Sequence, residues 1–330
     1  MNTFPRVTIV IPTYSQAALL PQALGSALGQ DYENLEIVVA DDCSPDNTQE
    51  IVQQYLQDGR VRYYRNSSNL GRVANYKLAL EKYARGEWVI NLDADDYYTD
   101  NRFISKAMNL ILAGNQLEKE PPIVFLQAGH TVRNGQGQAL RIDLPDIEGD
   151  AQTIPGSQYF IGFHHFSHLA TLFNREKAMA LDFYRYDILS ADIESFLRLS
   201  LHGRVILMKA SVGDWVHHGA NASKRLDIPT VEMNMLRIEG PYVYAKAMGI
   251  FPIADLLRWR NKMTHSYIRS YLILSLKNRG TLDGYLGHIR RYYPQMVPGI
   301  TIPVALLQAL LSKIRRFFAI GKKGDLNHPS

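Results

Sequence analysis

The chain has 330 residues, of which 36 are Lys or Arg and 32 are Asp or Glu, so its formal net charge is +4. A composition that is 46% hydrophobic and 21% charged is typical of a globular protein, and it excludes a wholly disordered, collagen-like or coiled-coil chain. The single cysteine, Cys43, excludes an intramolecular disulfide framework and a cysteine-based zinc cluster.

The charge is distributed unevenly along the chain. From Pro241 onward the sequence holds 14 Lys or Arg and three Asp or Glu, a net charge of +11. The first 240 residues hold 22 bases and 29 acids, a net charge of −7. An acidic body followed by a basic C-terminal region indicates an anionic partner for that region.

The first hundred residues alternate strand-like and helix-like patterns. We predict strands at Val7–Ile11, Glu36–Ala40, Val61–Arg65 and Glu87–Leu92, and helices at Ala17–Leu28, Thr48–Leu56 and Arg72–Ala84. The strands are short and mostly apolar, with many β-branched residues, as buried parallel strands are. Repeated β-α-β units predict a mostly parallel sheet with helices on both faces. Functional residues of such sheets follow the carboxyl ends of the strands.

After about residue 115 the pattern is less regular. We predict strands at Pro121–Leu126, Ala170–Phe173 and Val205–Met208, a hairpin turn around 133–137, an exposed loop at Leu144–Pro155 and a helix at Asp192–Leu201. From Pro241 onward the pattern is helical, aromatic and basic. We therefore expect one α/β domain at 1–220, with halves at 1–115 and 116–220, and a helical C-terminal region at 221–330.

Three carboxylates follow the fourth predicted strand, in the sequence Asp93-Ala94-Asp95-Asp96. They repel one another unless a cation or hydrogen-bond donors stabilise them. Hard oxygen ligands favour Mg²⁺ or Mn²⁺, and such a site completes its shell with substrate phosphates and waters. An alternative is that an acid caps the following helix, but a cap needs one acid rather than three.

Polar residues also follow the earlier strands, and they suit a nucleotide. Pro12-Thr13-Tyr14 ends the first strand and Asp41-Asp42-Cys43-Ser44 the second. An acid at the end of the second strand can accept hydrogen bonds from ribose or base donors. Asn69-Leu70-Gly71-Arg72 adds a donor, a flexible backbone and a fixed cation. The Gly-rich dinucleotide fingerprint and the Gly-Lys-Ser/Thr phosphate loop are both missing from the sequence.

Taken in order, these motifs resemble those of the family 2 glycosyltransferases, which have the GT-A fold. The resemblance covers residues 5–115 closely and 165–220 more loosely, and it implies a nucleotide-sugar donor, with a UDP-sugar expected. It implies that 116–220 binds the acceptor and that Asp95 and Asp96 hold Mn²⁺ or Mg²⁺ on the diphosphate. The donor nucleotide would be bound by Pro12, Thr13, Tyr14, Asp41, Asn69, Arg72 and Asp93.

The same resemblance implies a catalytic base. The family places it at the start of a later helix, typically in a Glu-Asp pair, and Asp192 stands there while Ala191 replaces the usual Glu. The alternative is that Asp192 is only a helix N-cap. Family members often place a His near the metal or diphosphate, which His217 or His218 matches; otherwise both belong to a polar loop. One base and one displacement imply inversion at the anomeric carbon.

The C-terminal basic segment, about residues 300–324, resembles a helix that lies in a membrane interface. Its apolar residues recur among Lys313, Arg315, Arg316, Lys322 and Lys323. The alternative is a helix docked on its own domain. Neither a spanning helix of about 20 apolar residues nor a signal peptide is predicted. We expect a cytoplasmic protein, peripheral on the inner face of the cell membrane, with a lipid-linked or cell-envelope glycan as acceptor.

Other functions suit the sequence less well. A sugar nucleotidyltransferase would carry a Gly-rich basic loop where Pro12-Thr13-Tyr14-Ser15 stands. Phe and Leu among the basic residues of the C-terminal basic segment suit a bilayer better than nucleic acid. The intact acid cluster disfavours a non-catalytic membrane-associated scaffold. Asp255 replaces the Gln of the Gln-x-x-Arg-Trp motif of processive synthases, so we expect transfer of one sugar or a few.

Overall fold

A computed structural model describes residues 4–117, 119–162, 168–217 and 227–275, together with 284, 287 and 289–291. The predicted C-terminal basic segment at 300–324 and His218 lie outside the described residues.

The strands of the described residues form one mixed sheet. They are β1 (Val7–Thr13), β2 (Leu35–Asp41), β3 (Val61–Arg65), β4 (Trp88–Asn91), β5 (Tyr97–Tyr98), β6 (Ile123–Asn134), β7 (Ala139–Asp143), β8 (Ala151–Pro155), β9 (Thr171–Asn174) and β10 (Arg204–His217). The order is β3-β2-β1-β4-β9-β6-β10-β5, with β7 on β6 and β8 on β10. Strands β3, β2, β1 and β4 are parallel, and β9 is antiparallel to β4 and β6.

Helices cover both faces of the sheet. They are α1 (Leu20–Leu28), α2 (Thr48–Gln53), α3 (Arg72–Leu78), continued by a π-helical turn (Ala79–Tyr83), α4 (Phe103–Asn115), α5 (Gly156–Gly162), α6 (Arg175–Ala180), α7 (Ala191–Ser200), α8 (Ile228–Met233), α9 (Leu236–Met248) and α10 (Ile253–Ser275). Helices α1, α2 and α4 contribute to the core on one face and α3, α5, α6 and α7 to the core on the other. A third apolar cluster joins α8, α9 and α10 to α5 and α7.

Parallel pairing brings the predicted nucleotide residues to one edge of the sheet. Thr13 at the end of β1 pairs with Asp41 at the end of β2. The Leu92 N–H donates to the Val10 carbonyl at 2.9 Å, so the chain after β4 leaves the sheet beside β1. The motifs that end these three strands therefore meet, as the sequence predicts.

Several boundaries differ from the prediction. The last residues of the predicted loop at Leu144–Pro155 form strand β8, which the sequence hides because all its residues except Ile154 are exposed. Strand β10 continues far beyond Met208, because register shifts against β6 carry it past a polar stretch. The first described helix of the C-terminal region is α8, capped by Asp227, whose side chain accepts from the Thr230 N–H at 2.9 Å.

Helix α9 lies against the start of α7 at Gly240. A Cβ at Gly240 would come within 2.7 Å of a carboxylate oxygen of Glu194, so a larger residue would have to displace that side chain. The C-terminal helices are therefore packed directly against the helix that carries the predicted base.

Candidate active site

Three carboxylates converge in the turn after β4. Asp93, Asp95 and Asp96 each offer an oxygen within 4.8 Å of the others. The Asp96 N–H closes the turn on the Asp93 carbonyl at 2.9 Å. Throughout the part of the chain that the structure describes, this acid triad is the only group of three or more acidic, His or Cys side chains so arranged.

The acid triad is contacted by residues of α3 and of β10. The Tyr76 hydroxyl donates to Asp93 at 2.7 Å, and the Val216 N–H of β10 donates to Asp96 at 2.9 Å. Burial, reinforced by Asp95 and Asp93, raises the pKa of Asp96 well above its usual range. A divalent cation would counter this by favouring the ionised carboxylate. Oxygen donors of this kind suit Mg²⁺ or Mn²⁺, so the residues fit the predicted cation.

Strand β10 brings a fourth carboxylate close to the acid triad. Asp214 is 1% exposed and forms an ion pair with Arg133 through one oxygen. Its other oxygen, Oδ1, has no hydrogen-bond partner among the described residues. Asp214 also contributes to the raised pKa of Asp96. Sequence analysis assigned this residue no role, although an acid directly after a glycine on the strand that follows the base was a visible signal.

His217 ends β10, directly after the residue that contacts Asp96. Its ring lies 5.5 Å from the ring of Trp215. It is not one of the three residues of the acid triad. Its predicted role at the metal or diphosphate stays a prediction.

The predicted nucleotide residues differ in their accessibility. Tyr14 is 46% exposed, whereas Thr13 is buried and its Oγ1 has no partner among the described residues. Asp41 is buried and already accepts from the Tyr63 hydroxyl at 2.6 Å and from the Ser44 N–H at 2.8 Å. Direct contact between Asp41 and a nucleotide therefore stays a prediction.

Asp42 shapes the loop that leads to Arg72. Its buried carboxylate accepts from the Asn66 amide at 2.8 Å and from the N–H groups of Leu70 at 2.8 Å and Gly71 at 2.9 Å. Gly71 has a φ of +92°, a conformation that favours glycine, and α3 begins at the next residue. The sequence motif includes Asp42, but this anchoring role was not predicted. It depends on contacts to residues more than 20 positions away.

Arg72 reaches from the donor half to the start of α7. Its Nη2 donates to the carbonyls of Ile188 at 3.0 Å and Leu189 at 2.9 Å. The guanidinium lies 5.4 Å from the centre of the Tyr76 ring. Burial lowers the pKa of Arg72, but interactions with Tyr76, Asp192 and Asp93 outweigh it and raise the pKa overall. The side chain therefore lies within the electrostatic reach of both the acid triad and the predicted base.

Two carboxylates in the first turns of α7 have opposite surroundings. Glu194 is 1% exposed and accepts hydrogen bonds from Arg185 and Arg198 at 2.7 to 3.0 Å. Asp192 is partly exposed and accepts no hydrogen bond from a described residue. The alternative that Asp192 is the N-cap does not hold, because Ser190 occupies that position. Of the two carboxylates, Asp192 is the one available to a substrate.

An aromatic cluster lies between the acid triad and Asp192. The Tyr184 hydroxyl bonds to His168 Nε2 at 2.8 Å and accepts from the Asn91 amide at 3.1 Å. Tyr76 lies edge-on to His168, with ring centres 5.4 Å apart. Burial lowers the pKa of His168, which favours its neutral form. Sequence analysis did not predict this cluster, because its members come from three distant segments.

The chain matches a known sequence family. Residues 8–176, slightly more than half of the chain, match the sequence family described as Glycosyl transferase family 2. The chain belongs to glycosyl transferase family 2. The resemblance stated from the sequence is thereby confirmed.

Two bacterial glycosyltransferases are similar over part of the chain. The putative colanic acid biosynthesis glycosyl transferase WcaA of Escherichia coli is 38% identical over 148 residues, 44% of this chain and 50% of WcaA. A Campylobacter jejuni GalNAc(5)-diNAcBac-PP-undecaprenol beta-1,3-glucosyltransferase is 37% identical over 94 residues, 28% of this chain and 30% of that protein. The chain spans half or less of the length of these relatives.

Solved structures share the fold of this chain. Staphylococcus aureus TarS 1–349, in complex with UDP-GlcNAc, superposes with a TM-score of 0.56 and 16% identity, covering 85% of this chain and 89% of TarS. This likeness confirms the GT-A fold. Within the residues that the structure describes, no helix has the length and apolar character needed to cross a membrane.

Proposed function

We propose that the protein is an inverting glycosyltransferase that moves a sugar from a nucleotide diphosphate, a UDP-sugar in our expectation, to a hydroxyl of a glycan acceptor. The observation that carries this proposal is the continuous path from the acid triad to Asp192. Asp93 accepts from Tyr76, Tyr76 lies beneath Arg72, and Arg72 donates to the backbone just before Asp192. These contacts link the acid triad, as the proposed cation site, to the accessible carboxylate of Asp192.

In this proposal Asp192 is the general base. It accepts the proton of the acceptor hydroxyl while that oxygen bonds to the anomeric carbon. The bond from this carbon to the diphosphate oxygen breaks on the opposite side, so the configuration inverts. Glu194 cannot share this role, because two arginines already occupy its buried carboxylate.

The acid triad would hold Mn²⁺ or Mg²⁺ through Asp95 and Asp96, with Asp93 beside them. When bound, such a cation stabilises the negative charge that develops on the departing diphosphate. The chain's own contribution is to fix the carboxylates: Tyr76 orients Asp93, and the Val216 N–H orients Asp96. The roles proposed for Pro12, Thr13, Tyr14, Asp41 and Asn69 at the nucleotide rest on their positions at the same sheet edge.

The proposed acceptor is a lipid-linked or cell-envelope glycan at the cytoplasmic membrane surface. Two relatives support it, because their names refer to colanic acid biosynthesis and to an undecaprenol-linked glycan. The described helices add support, since Met248, Ile250, Ile253 and Leu257 are exposed around the turn between α9 and α10. Together with the C-terminal basic segment, this surface suits an anionic bilayer.

The donor claim is tested by calorimetric titration of UDP-glucose, UDP-galactose, UDP-GlcNAc and GDP-mannose with Mn²⁺, with Mg²⁺ and with EDTA. We expect metal-dependent binding of one donor, lost in Asp95→Ala. Asp255→Ala is the matched control, because Asp255 lies on α10 and pairs with Arg258. If no nucleotide sugar binds in a metal-dependent way, the central claim fails.

The membrane claim has a separate test. A chain truncated after Pro298 should lose binding to vesicles that contain anionic lipid, while it keeps donor binding. Vesicles of neutral lipid alone are the control. Full binding by the truncated chain would remove the proposed role of the C-terminal basic segment.

A further inference from the structure

The N-cap of α7 is not used in the ordinary way. A Ser at this position normally accepts a hydrogen bond from the second or third N–H of its own helix. Ser190 makes no such capping bond. Its Oγ accepts instead from Asn234 Nδ2 at 3.2 Å and from Arg237 Nη1 at 3.2 Å. The Ser190 N–H donates to Asn234 Oδ1 at 2.8 Å. The residue two positions before Asp192 is therefore held by the C-terminal helices.

The two residues that hold Ser190 are themselves fixed. Asn234 is 1% exposed, and its N–H donates to the Thr230 carbonyl at 3.0 Å. The Arg237 guanidinium lies 5.0 Å from the centre of the Tyr267 ring. The Tyr267 hydroxyl in turn donates to the Val231 carbonyl at 3.1 Å. Helices α8, α9 and α10 therefore act on Ser190 as one packed unit.

Arg237 has surroundings that an ordinary structural arginine lacks. Within the described residues no carboxylate forms an ion pair with it, and its buried Nε has no hydrogen-bond partner. Burial lowers the pKa of Arg237, and Asp192 is among the groups that counter this effect. The Arg237 guanidinium thus donates to Ser190, two residues before Asp192, and interacts electrostatically with the Asp192 carboxylate.

We infer that Asn234 and Arg237 are positioning residues that set the place of the Asp192 carboxylate, acting through Ser190. Arg72 holds the two preceding carbonyls from the donor half, so the start of α7 is fixed from both sides. Neither Asn234 nor Arg237 lies in the family-matched range 8–176. The inference rests on the proposed function, because it requires Asp192 to be the base.

The test measures release of the nucleoside diphosphate from the donor that binds in the titrations above, with Mn²⁺ and with water in place of the acceptor. A displacement of about 1 Å costs on the order of 100-fold in rate. We expect Asn234→Ala to lower kcat by about 10- to 100-fold, with the KM and Kd for the donor changed less than about twofold. Asn261→Ala, an exposed Asn on α10, is the matched control and should leave both unchanged.

A double-mutant cycle identifies Ser190 as the connection. Ser190→Ala removes the oxygen that both residues hold but leaves the Ser190 N–H, so it should fold even if Asn234→Ala does not. Ser190→Ala and Arg237→Gln each remove the same hydrogen bond, between Arg237 and the Ser190 Oγ. The double variant should therefore lose about as much kcat as the more impaired of the two single variants. Fully additive losses would show that Arg237 acts elsewhere.

The outcomes separate this inference from the proposed function. Retained turnover in Asp192→Asn would overturn the base assignment, and the positioning role with it. An inactive Asp192→Asn beside a fully active Asn234→Ala would overturn the positioning role alone. A parallel loss of kcat and donor affinity in Asn234→Ala, or unchanged turnover per folded molecule, would also refute it.

Discussion

The two carboxylates of α7 allow a direct test of which one serves chemistry and which one serves the fold. Glu194→Gln keeps the size of the side chain but replaces one acceptor oxygen and removes the charge between Arg185 and Arg198. Arg198 is 1% exposed, so its guanidinium would remain buried without a counter-charge. Removing one partner of a buried ion pair costs about 3–5 kcal/mol. For a domain of this size that lowers the melting temperature by roughly 6–20 °C.

Asp192→Asn should behave in the opposite way. The Asp192 carboxylate accepts no hydrogen bond from a described residue and acts on Arg72 and Arg237 only through longer-range charge interactions. The free energy of unfolding should therefore fall by about 1 kcal/mol, clearly less than in Glu194→Gln. Loss of a general base lowers turnover by about 10²- to 10⁴-fold. Scanning calorimetry and UDP release at 15 °C, where both variants are folded, measure the two effects. An Asp192→Asn variant that melts as early as Glu194→Gln and keeps its turnover would refute the reasoning.

Three further predictions follow from single contacts. The two carboxylate oxygens of Asp42 accept from the Leu70 and Gly71 N–H groups, one each. Asp42→Asn replaces one of these acceptors with an NH₂ group, so the free energy of unfolding should fall by about 1–3 kcal/mol in urea titrations, with weaker donor binding in calorimetry. Gly86→Ala places a Cβ 2.6 Å from the Thr8 backbone nitrogen, so overpacking should lower the free energy of unfolding by about 1–3 kcal/mol in urea titrations. Its control is Gly59→Ala, where the new Cβ has open space and the free energy of unfolding should change by less than about 0.5 kcal/mol. Burial lowers the pKa of His168 from 6.5, so the unfolded state binds the proton more readily and stability falls as pH drops below 6.5. His168→Gln should therefore reduce the dependence of the free energy of unfolding on pH, measured in urea titrations at pH 5 to 7. An unchanged pH dependence would show that other groups cause it.

The donor edge of the site could be predicted from the sequence because its geometry is local. Each motif directly follows a short apolar strand, and parallel strands that alternate with helices must end at one edge. The acid triad needs no more than this, since its three members lie within four residues. The family resemblance then placed Asp192, which the structure shows to be accessible.

The residues that sequence analysis missed act across long separations. Asp42 holds a loop 28 positions away, and Asn234 binds Ser190 from 44 positions away. Nothing in the local sequence distinguishes Asp42, Asn234 and Ser190 from ordinary turn or cap residues, because Asp, Asn and Ser are common in turns and at helix caps. Strand β8 was missed for a related reason: an exposed edge strand lacks the apolar alternation that identifies a half-buried one.

The location of these contacts limits how the protein can be divided. The family-matched range ends at 176. However, the Asp96 carboxylate accepts a hydrogen bond from the Val216 N–H of β10, and β10 pairs with β6 inside the sheet. A fragment that stops at 176 would leave both β6 and the acid triad without that strand. It would also lose Asp192, the Ser190 contacts and their anchors in α8 and α9. We therefore expect substitutions at Asp192 or Asn234 to separate donor binding from sugar transfer, and a cut in the chain after residue 176 to abolish both.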